Sequence, residues 1–397
     1  MENKQTSILG HGDVRGFNIL LVLVWCKSII MDYVSGVFYQ LFGDNVRIFL
    51  MNAIYAIAFI WALPYIRKCS HKKDVLFFLT VVIIYALQFL IFPENTKALE
   101  DISSIFLVWV LPALFLGLGL FHSNSYKLLL VASIASLFCM IYYKMFHSAG
   151  YMEANDLTED MDAAYHLLPH LLLIFYASLK EKKVLYYLCA AIGFILLLSF
   201  GTRGPIICAI VYLSLYFMLT HTWSHPIRDR ILLIFGASFI ILTFDAWSIY
   251  LNDVFSGLGL STRLLSKFQD GVFFESNARD DIRLILINNL SESGFLGLGI
   301  AGDRTIIDTY AHNLILELWV SFGWFIGTFL IICLFYLLLR AYRFGTAENK
   351  NYLILLISCS VLHLMLSSTY LNSYLLFVLI GYSISVVRYK PQISTKS

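Results

Sequence analysis

Apolar runs of about 17 to 22 residues recur from end to end of this chain, and that is the length an α-helix needs to cross the ~30 Å hydrocarbon core of a bilayer. Counting them gives about twelve helices, near 17–35, 47–66, 75–92, 102–121, 128–146, 163–179, 184–200, 205–219, 231–250, 313–339, 352–368 and 373–388. The expected fold class is therefore all-α, a polytopic integral membrane protein with residues 1–397 forming a single membrane domain. Composition agrees: 59% of residues are hydrophobic, only 14% are charged, and the mean hydropathy is +0.76. A net charge of +2 gives no reason to expect nucleic-acid binding. The polar start, Met1 to Arg15, and the absence of a small-residue cleavage motif after the first run predict that the first span is retained. The 313–339 run is too long for a simple crossing, so its first turns are expected at the interface, before Gly323 and Gly327 lead into the span.

Orientation follows from Lys and Arg in the short connections. Arg67-Lys68 with Lys72-Lys73, Lys180 with Lys182-Lys183, Arg228 with Arg230, Arg340 with Arg343, and Arg388 with Lys390 all fall on one side of an even-numbered topology. That side is expected to be cytoplasmic. The opposite loops are acidic, with Glu94, Glu100 and Asp101 in one and Glu153, Asp156, Glu159, Asp160 and Asp162 in another. Both termini are then inside. The one long polar connection, residues 251–311, is outside. A chain with short connections elsewhere and one loop of this size is expected to place its chemistry there.

The loop carries Arg263, Lys267, Arg279, Arg283 and Arg304, and no cysteine, so packing and hydrogen bonds must hold it. The seven cysteines lie in spans or on the cytoplasmic side and include no CxxC pair, which excludes thiol redox chemistry. Arg203 sits in Phe200-Gly201-Thr202-Arg203-Gly204-Pro205, an external turn in which the glycines permit a sharp reversal and Pro205 opens the next helix. Arg279 and Arg283 share one face if Asn277 caps a helix running through Asn289. The planar guanidinium fork suits phosphate; the plainer alternative is that these arginines pair with Asp270, Glu275, Asp280 or Asp281.

His312, where the loop meets an apolar helix, is a candidate general base or simply a polar cap. Asn313 and Glu317 share a helical face, and Glu317 in an apolar stretch needs a partner. Asp162, His166 and His170, one turn apart, resemble a metal half-site, but no further ligand is identifiable and Pro169 disturbs the helix. No metal and no cofactor is expected.

These residues, in order, carry a resemblance. Ser199-Phe200-Gly201-Thr202-Arg203-Gly204, a long external loop, Ala278-Arg279 followed by Gly297-Leu298-Gly299, then His312-Asn313 through Glu317 and Gly323 to Gly327, resemble the O-antigen ligase and O-antigen polymerase family over roughly residues 185–345. Arg279 stands eighteen and twenty residues before the two glycines. Arg283 occupies a position where tryptophan is common, which leaves open whether it or Arg279 plays the main role, and Gly201-Thr202 replaces a Ser-containing pair. The resemblance implies a metal-independent glycosyltransferase of the bacterial cytoplasmic membrane, working at the outer face. Its donor would be a glycan on undecaprenyl pyrophosphate and its acceptor another lipid-linked repeat or lipid A–core. Arg203, Arg279 and His312 would be catalytic, with Arg283, Asn313, Glu317 and Arg263 binding substrate.

Two reactions fit. A polymerase transfers the growing chain onto another lipid-linked repeat; a ligase transfers the finished chain to a final acceptor. The polymerase is preferred because polymerases occur in more kinds of surface-polysaccharide system, and no residue decides it. Further partners would be membrane lipids, a chain-length regulator and a flippase. A flippase or other transporter is the rival reading, but it would place more ionisable residues mid-span than the few here, of which Lys27 is the clearest. A scaffold would leave the external arginines unexplained.

The charge asymmetry makes a direct prediction. In a cysteine-free background, single cysteines at Asn155 and Gln269 should react with an impermeant thiol reagent in intact cells, and one at Lys182 should not. Labelling at 182 with protection at 269 would invert the map.

Overall fold

The computed structural model describes residues 11–30, 44–147, 156–220, 231, 244–257, 262, 265–266, 269, 279–292 and 296–389. Every regular element among them is helical. Among the described residues seven helices are long and apolar enough to cross a membrane, and His11–Trp25, Val184–Ser199 and Tyr374–Arg388 are shorter apolar helices. The surface says the same. Along the Leu314–Phe344 helix, Phe325, Phe329, Ile332, Tyr336 and Leu339 are exposed at spacings of three and four, an apolar stripe that suits lipid and not water.

The chain forms two compact units. The first combines Met1–Leu129 with Asn277–Ser397. In it, Tyr374–Arg388 packs tightly against Ala113–Leu120, and the reason is reciprocal glycines. A Cβ on Gly117 would overlap the Val378 carbonyl oxygen, and one on Gly381 would overlap that of Leu114. Without lipid-excluding pressure between helices, such close backbone approach is what makes them associate. His11–Trp25 packs likewise on Asp44–Cys69, with Gly16 against Trp61 and the rings of Phe17 and Tyr65 4.5 Å apart.

The first expected span is interrupted. Its helix stops at Trp25, Cys26 takes a non-helical φ of −96° and ψ of 12°, and Lys27 begins a short further turn. The Lys27 ammonium lies 5.2 Å from the Trp109 ring centre and 5.5 Å from that of Tyr374, so the mid-span charge rests against aromatic faces.

The loops gather at two polar ends. At one, Arg388 grips the buried Asp74 with two bonds of 2.6 and 2.9 Å, while the His71 backbone donates to the same carboxylate at 2.7 Å. His71 also meets the Tyr389 hydroxyl at 3.2 Å, and the His122 ring lies 4.5 Å from the Tyr389 ring. These are segments that the charge asymmetry assigns to one side. The other end holds residues 93–96, 297–312 and 366–371, described below.

The second unit, Leu130–Ser276, includes Asp156–Glu181 packed beside Val184–Ser199. The two are joined through Lys182 in the left-handed region at φ 53°. Gly193 accommodates Leu171 and Leu137, and Gly204 accommodates the Tyr165 hydroxyl.

The 314–344 run contains the sharpest feature of the fold. Gly323 has φ 75° and ψ 169°, a conformation open essentially to glycine alone, and it splits the run in two. The halves double back: Trp319 donates to the Thr328 hydroxyl at 3.0 Å, and a Cβ on Gly327 would come 2.7 Å from the Leu318 carbonyl oxygen. In a straight helix residues nine apart are ~13 Å apart along the axis. The part after the break is by itself long enough, at ~1.5 Å per residue, for a ~30 Å core.

Gly381→Val should force the Ala113–Leu120 and Tyr374–Arg388 helices apart, at a cost of about 2–4 kcal/mol. A thermal-unfolding scan in detergent should show a clearly lowered Tm. An unchanged Tm would contradict the packing described.

Candidate active site

The polar end of the first unit is built outward from the break at Gly323. Breaking a helix leaves the carbonyls of its last turn without intrahelical partners. Val320 carries one of them, and the Leu298 backbone N–H donates to it at 2.7 Å. Leu298 can come so close because its neighbours are glycines. Gly297 and Gly299 have φ of 72° and 81°, and a Cβ on Gly297 would overlap the Gly323 nitrogen. The same loop is tied to the spans: Asn95 donates to the carbonyls of Leu298 and Ile300 at 2.8 and 3.2 Å, and Gln88 accepts from the Ile300 N–H at 2.9 Å.

Beyond Ala301, itself left-handed at φ 62°, the short helix Gly302–Ile307 leads to Asp308 at φ 53° and then to His312 at φ 52°. Two non-glycine left-handed residues bracket this return, and His312 ends it. Asp303 closes the return. Its buried carboxylate accepts the Arg304 N–H at 3.0 Å and, across the loop, the Ala311 N–H at 2.9 Å.

The Arg279–Glu292 helix lies against this frame. Asp280 and Asp281 in its first turn suit the positive end of a helix. Leu286 packs in one cluster with Ala311, Leu316 and Val320. That anchoring sets Arg279 at the start of the helix. Its guanidinium donates to the Leu366 carbonyl, a helix-terminal acceptor, and this is its one hydrogen bond among the described residues. One of five N–H donors is used in that way.

The other sequence-predicted residues separate by role. Arg283 makes an exposed ion pair with Asp280 at 3.1 Å, the plainer alternative for that position. Asn313 caps the helix that starts at Leu314, accepting from Ile315 and Leu316 at 3.1 Å each. Glu317 is buried and held by the Thr369 hydroxyl and by the Tyr370 N–H at 3.1 Å, while the Tyr370 hydroxyl reaches Ser321 at 3.2 Å. Both Glu317 oxygens and the Asn313 Oδ1 are therefore engaged within the site itself.

Arg263 and Asn277 lie outside the described residues. Arg203 belongs to the second unit, as the first residue of the Arg203–Leu215 helix, preceded by Gly201 at φ 68° as the turn requires. In the same unit, the buried His170 meets the Ser133 hydroxyl at 3.2 Å. No group of three or more His, Cys, Asp or Glu is placed to hold a metal ion among the described residues.

His312 is half-buried, with its ring 4.2 Å from that of Tyr310. Its Nδ1 is sealed from solvent without a hydrogen-bond partner. Burial, and then the Arg279 charge, push the imidazole down to about 4 from its ordinary 6.5. It is a neutral ring at neutral pH, able to take a proton, with a guanidinium in electrostatic reach. For Asp303, burial pushes the carboxyl up, against the opposing N–H of Ala311 and charge of Arg304.

The sequence reading did not reach Gln88, Asn95, Asp303, Thr369 or Tyr370. Only Gln88 and Asn95 carried a hint, as amide side chains at the end of a strongly apolar run. Comparison of the chain with family models, with curated proteins and with solved structures finds no match.

Proposed function

We propose that the chain is a polysaccharide polymerase that moves a glycan from a lipid pyrophosphate onto another lipid-linked repeat at the outer face of the bacterial cytoplasmic membrane. The observation that carries this reading is the conjunction of Arg279 and His312: a guanidinium that spends one bond on a carbonyl, beside an imidazole that burial keeps neutral. The motif order from Arg279 through Gly297 and Gly299 to His312-Asn313 adds to it. This reading takes about twelve spans, both termini inside and the 251–311 loop outside.

The chemistry runs as follows. The acceptor hydroxyl attacks the anomeric carbon of the donor sugar. The bond from that carbon to the pyrophosphate oxygen breaks, and His312 takes the hydroxyl proton. Charge grows on the departing pyrophosphate, where a guanidinium fork stabilises it most. Neutrality of His312 serves this step because a protonated ring could not accept a proton, and the imidazolium that then forms beside Arg279 is offset by the charge growing on the departing pyrophosphate. The lowered basicity weakens the proton pull, so positioning matters more here than base strength.

The test uses purified protein in nanodiscs supplied with one lipid pyrophosphate-linked repeat unit. A ladder of longer chains is expected, and Arg279→Lys, which keeps the charge but loses the fork, should slow it about 100-fold. Elongation only after a distinct final acceptor is added would make the enzyme a ligase. No transfer in either mixture, from folded protein, would overturn the glycosyltransferase reading.

A further inference from the structure

The arrangement around Asp303 has no obvious stability rationale. A carboxyl is 2% exposed in a surface loop, although burying one is costly unless its oxygens are bonded. Both oxygens are bonded, and to backbone only: Oδ1 to the Arg304 N–H and Oδ2 to the Ala311 N–H. The second bond spans eight residues and ends one residue before His312. Between its two ends the chain passes through Asp308 in the left-handed region, and it leaves through His312 in the same region. Each such residue costs of order 1 kcal/mol and persists only where its surroundings hold it. Within this loop the Asp308 N–H is held by the Arg304 carbonyl at 3.1 Å, and the Asp303 staple is the bond that ties down the residue before His312. Gly302, whose Cβ would meet the Leu298 side chain at 2.8 Å, seats the carboxyl against the loop pinned by Gln88 and Asn95.

We propose that Asp303 is the positioning residue for His312: by clamping the Ala311 N–H it fixes the strained backbone that turns the imidazole inward beside Arg279. This rests on His312 being the base of the proposed transfer. The charged groups within reach of the pair are Arg279 at His312, and Arg304 and Glu317 at Asp303. An amide in place of the carboxylate could accept one of the two N–H groups but would turn its own NH2 toward the other. The loop would then relax, and water would reach a ring that is now half-buried. The sign of the effect on His312 follows. Its proton affinity is low because it is buried, so hydration must raise it from about 4 toward 6.5.

The experiment follows Asp303→Asn in nanodiscs by two readouts. Magnetic resonance of ring-labelled histidine, with His312 assigned from the difference to His312→Gln, should show its titration moved up by at least one pH unit. The acid limb of kcat/KM for glycan transfer should move up with it, with kcat falling about 100-fold, as expected for a displacement of about 1 Å. Asp308→Asn, which removes a carboxylate from the same loop but keeps a residue that accepts left-handed φ, should change neither. If transfer is absent in the wild type but the His312 titration moves, the glycosyltransferase reading fails and the clamp stands. If transfer occurs and Asp303→Asn leaves both titration and acid limb in place, the clamp is wrong. Should Asp303→Asn not fold, hydrogen exchange at the wild-type Ala311 amide decides: slow exchange supports the clamp, and exchange at the rate of an unbonded amide overturns it.

Discussion

At Gly323 a helix that would otherwise run unbroken through Leu314–Phe344 stops, turns back on itself and leaves carbonyls without partners in its last turn. Everything at the polar end of the first unit is arranged around that interruption. The Val320 carbonyl takes the Leu298 N–H, which requires glycine at 297, and the tight loop so formed is braced by Gln88 and Asn95 from the spans. From the braced loop the chain proceeds through Asp303 to His312, whose neighbour Ala311 is clamped and whose follower Asn313 caps the broken helix. An unpartnered backbone group is expensive inside a membrane, so the break is tolerated only where other groups replace the lost bonds. The replacement bonds are what make a site.

Three further charged groups of the first unit are handled by the same rule. Asp74 meets Arg388 through two bonds, Glu317 meets the Thr369 hydroxyl and the Tyr370 N–H, and Lys27 rests on two aromatic rings. None of the three is placed as a solvated charge. His312 differs from these three: among the described residues its Nδ1 is one of eleven buried side-chain atoms without a hydrogen-bond partner, and its ring sits beside a guanidinium that discourages protonation. A buried polar atom left unsatisfied is a cost that packing alone does not explain. In the proposed transfer, that cost keeps a neutral imidazole in the path of an acceptor hydroxyl.

Of the twelve expected spans, seven overlap described helices long and apolar enough to cross a membrane, because a bilayer demands a minimum run whatever the tertiary packing. The apolar periodicity could not see the break at Cys26, where the 17–35 run reads as continuous, nor the division into two compact units, since both are made of the same kind of helix. The interruption at Gly323 was legible because a long run with an internal glycine has few other solutions. The different surroundings of Arg279 and Arg283 were not legible. Four residues apart on one helix, they differ only in what lies opposite, and that is the Leu366 carbonyl for one and the exposed Asp280 for the other. Asp303 was hidden for a similar reason. Its partner is a backbone N–H eight residues on, and backbone donors leave no mark in a sequence.

The central claim is that the Arg279 guanidinium receives a pyrophosphate. Dipolar recoupling between phosphorus and guanidinium nitrogen, in nanodisc-bound protein carrying 15N-arginine and saturated with lipid pyrophosphate-linked repeat, measures that contact directly. The account predicts dephasing that corresponds to about 4 Å and disappears in Arg279→Lys, as two parallel N–H···O bonds require. Dephasing that survives the substitution, or none in the saturated wild type, would contradict it.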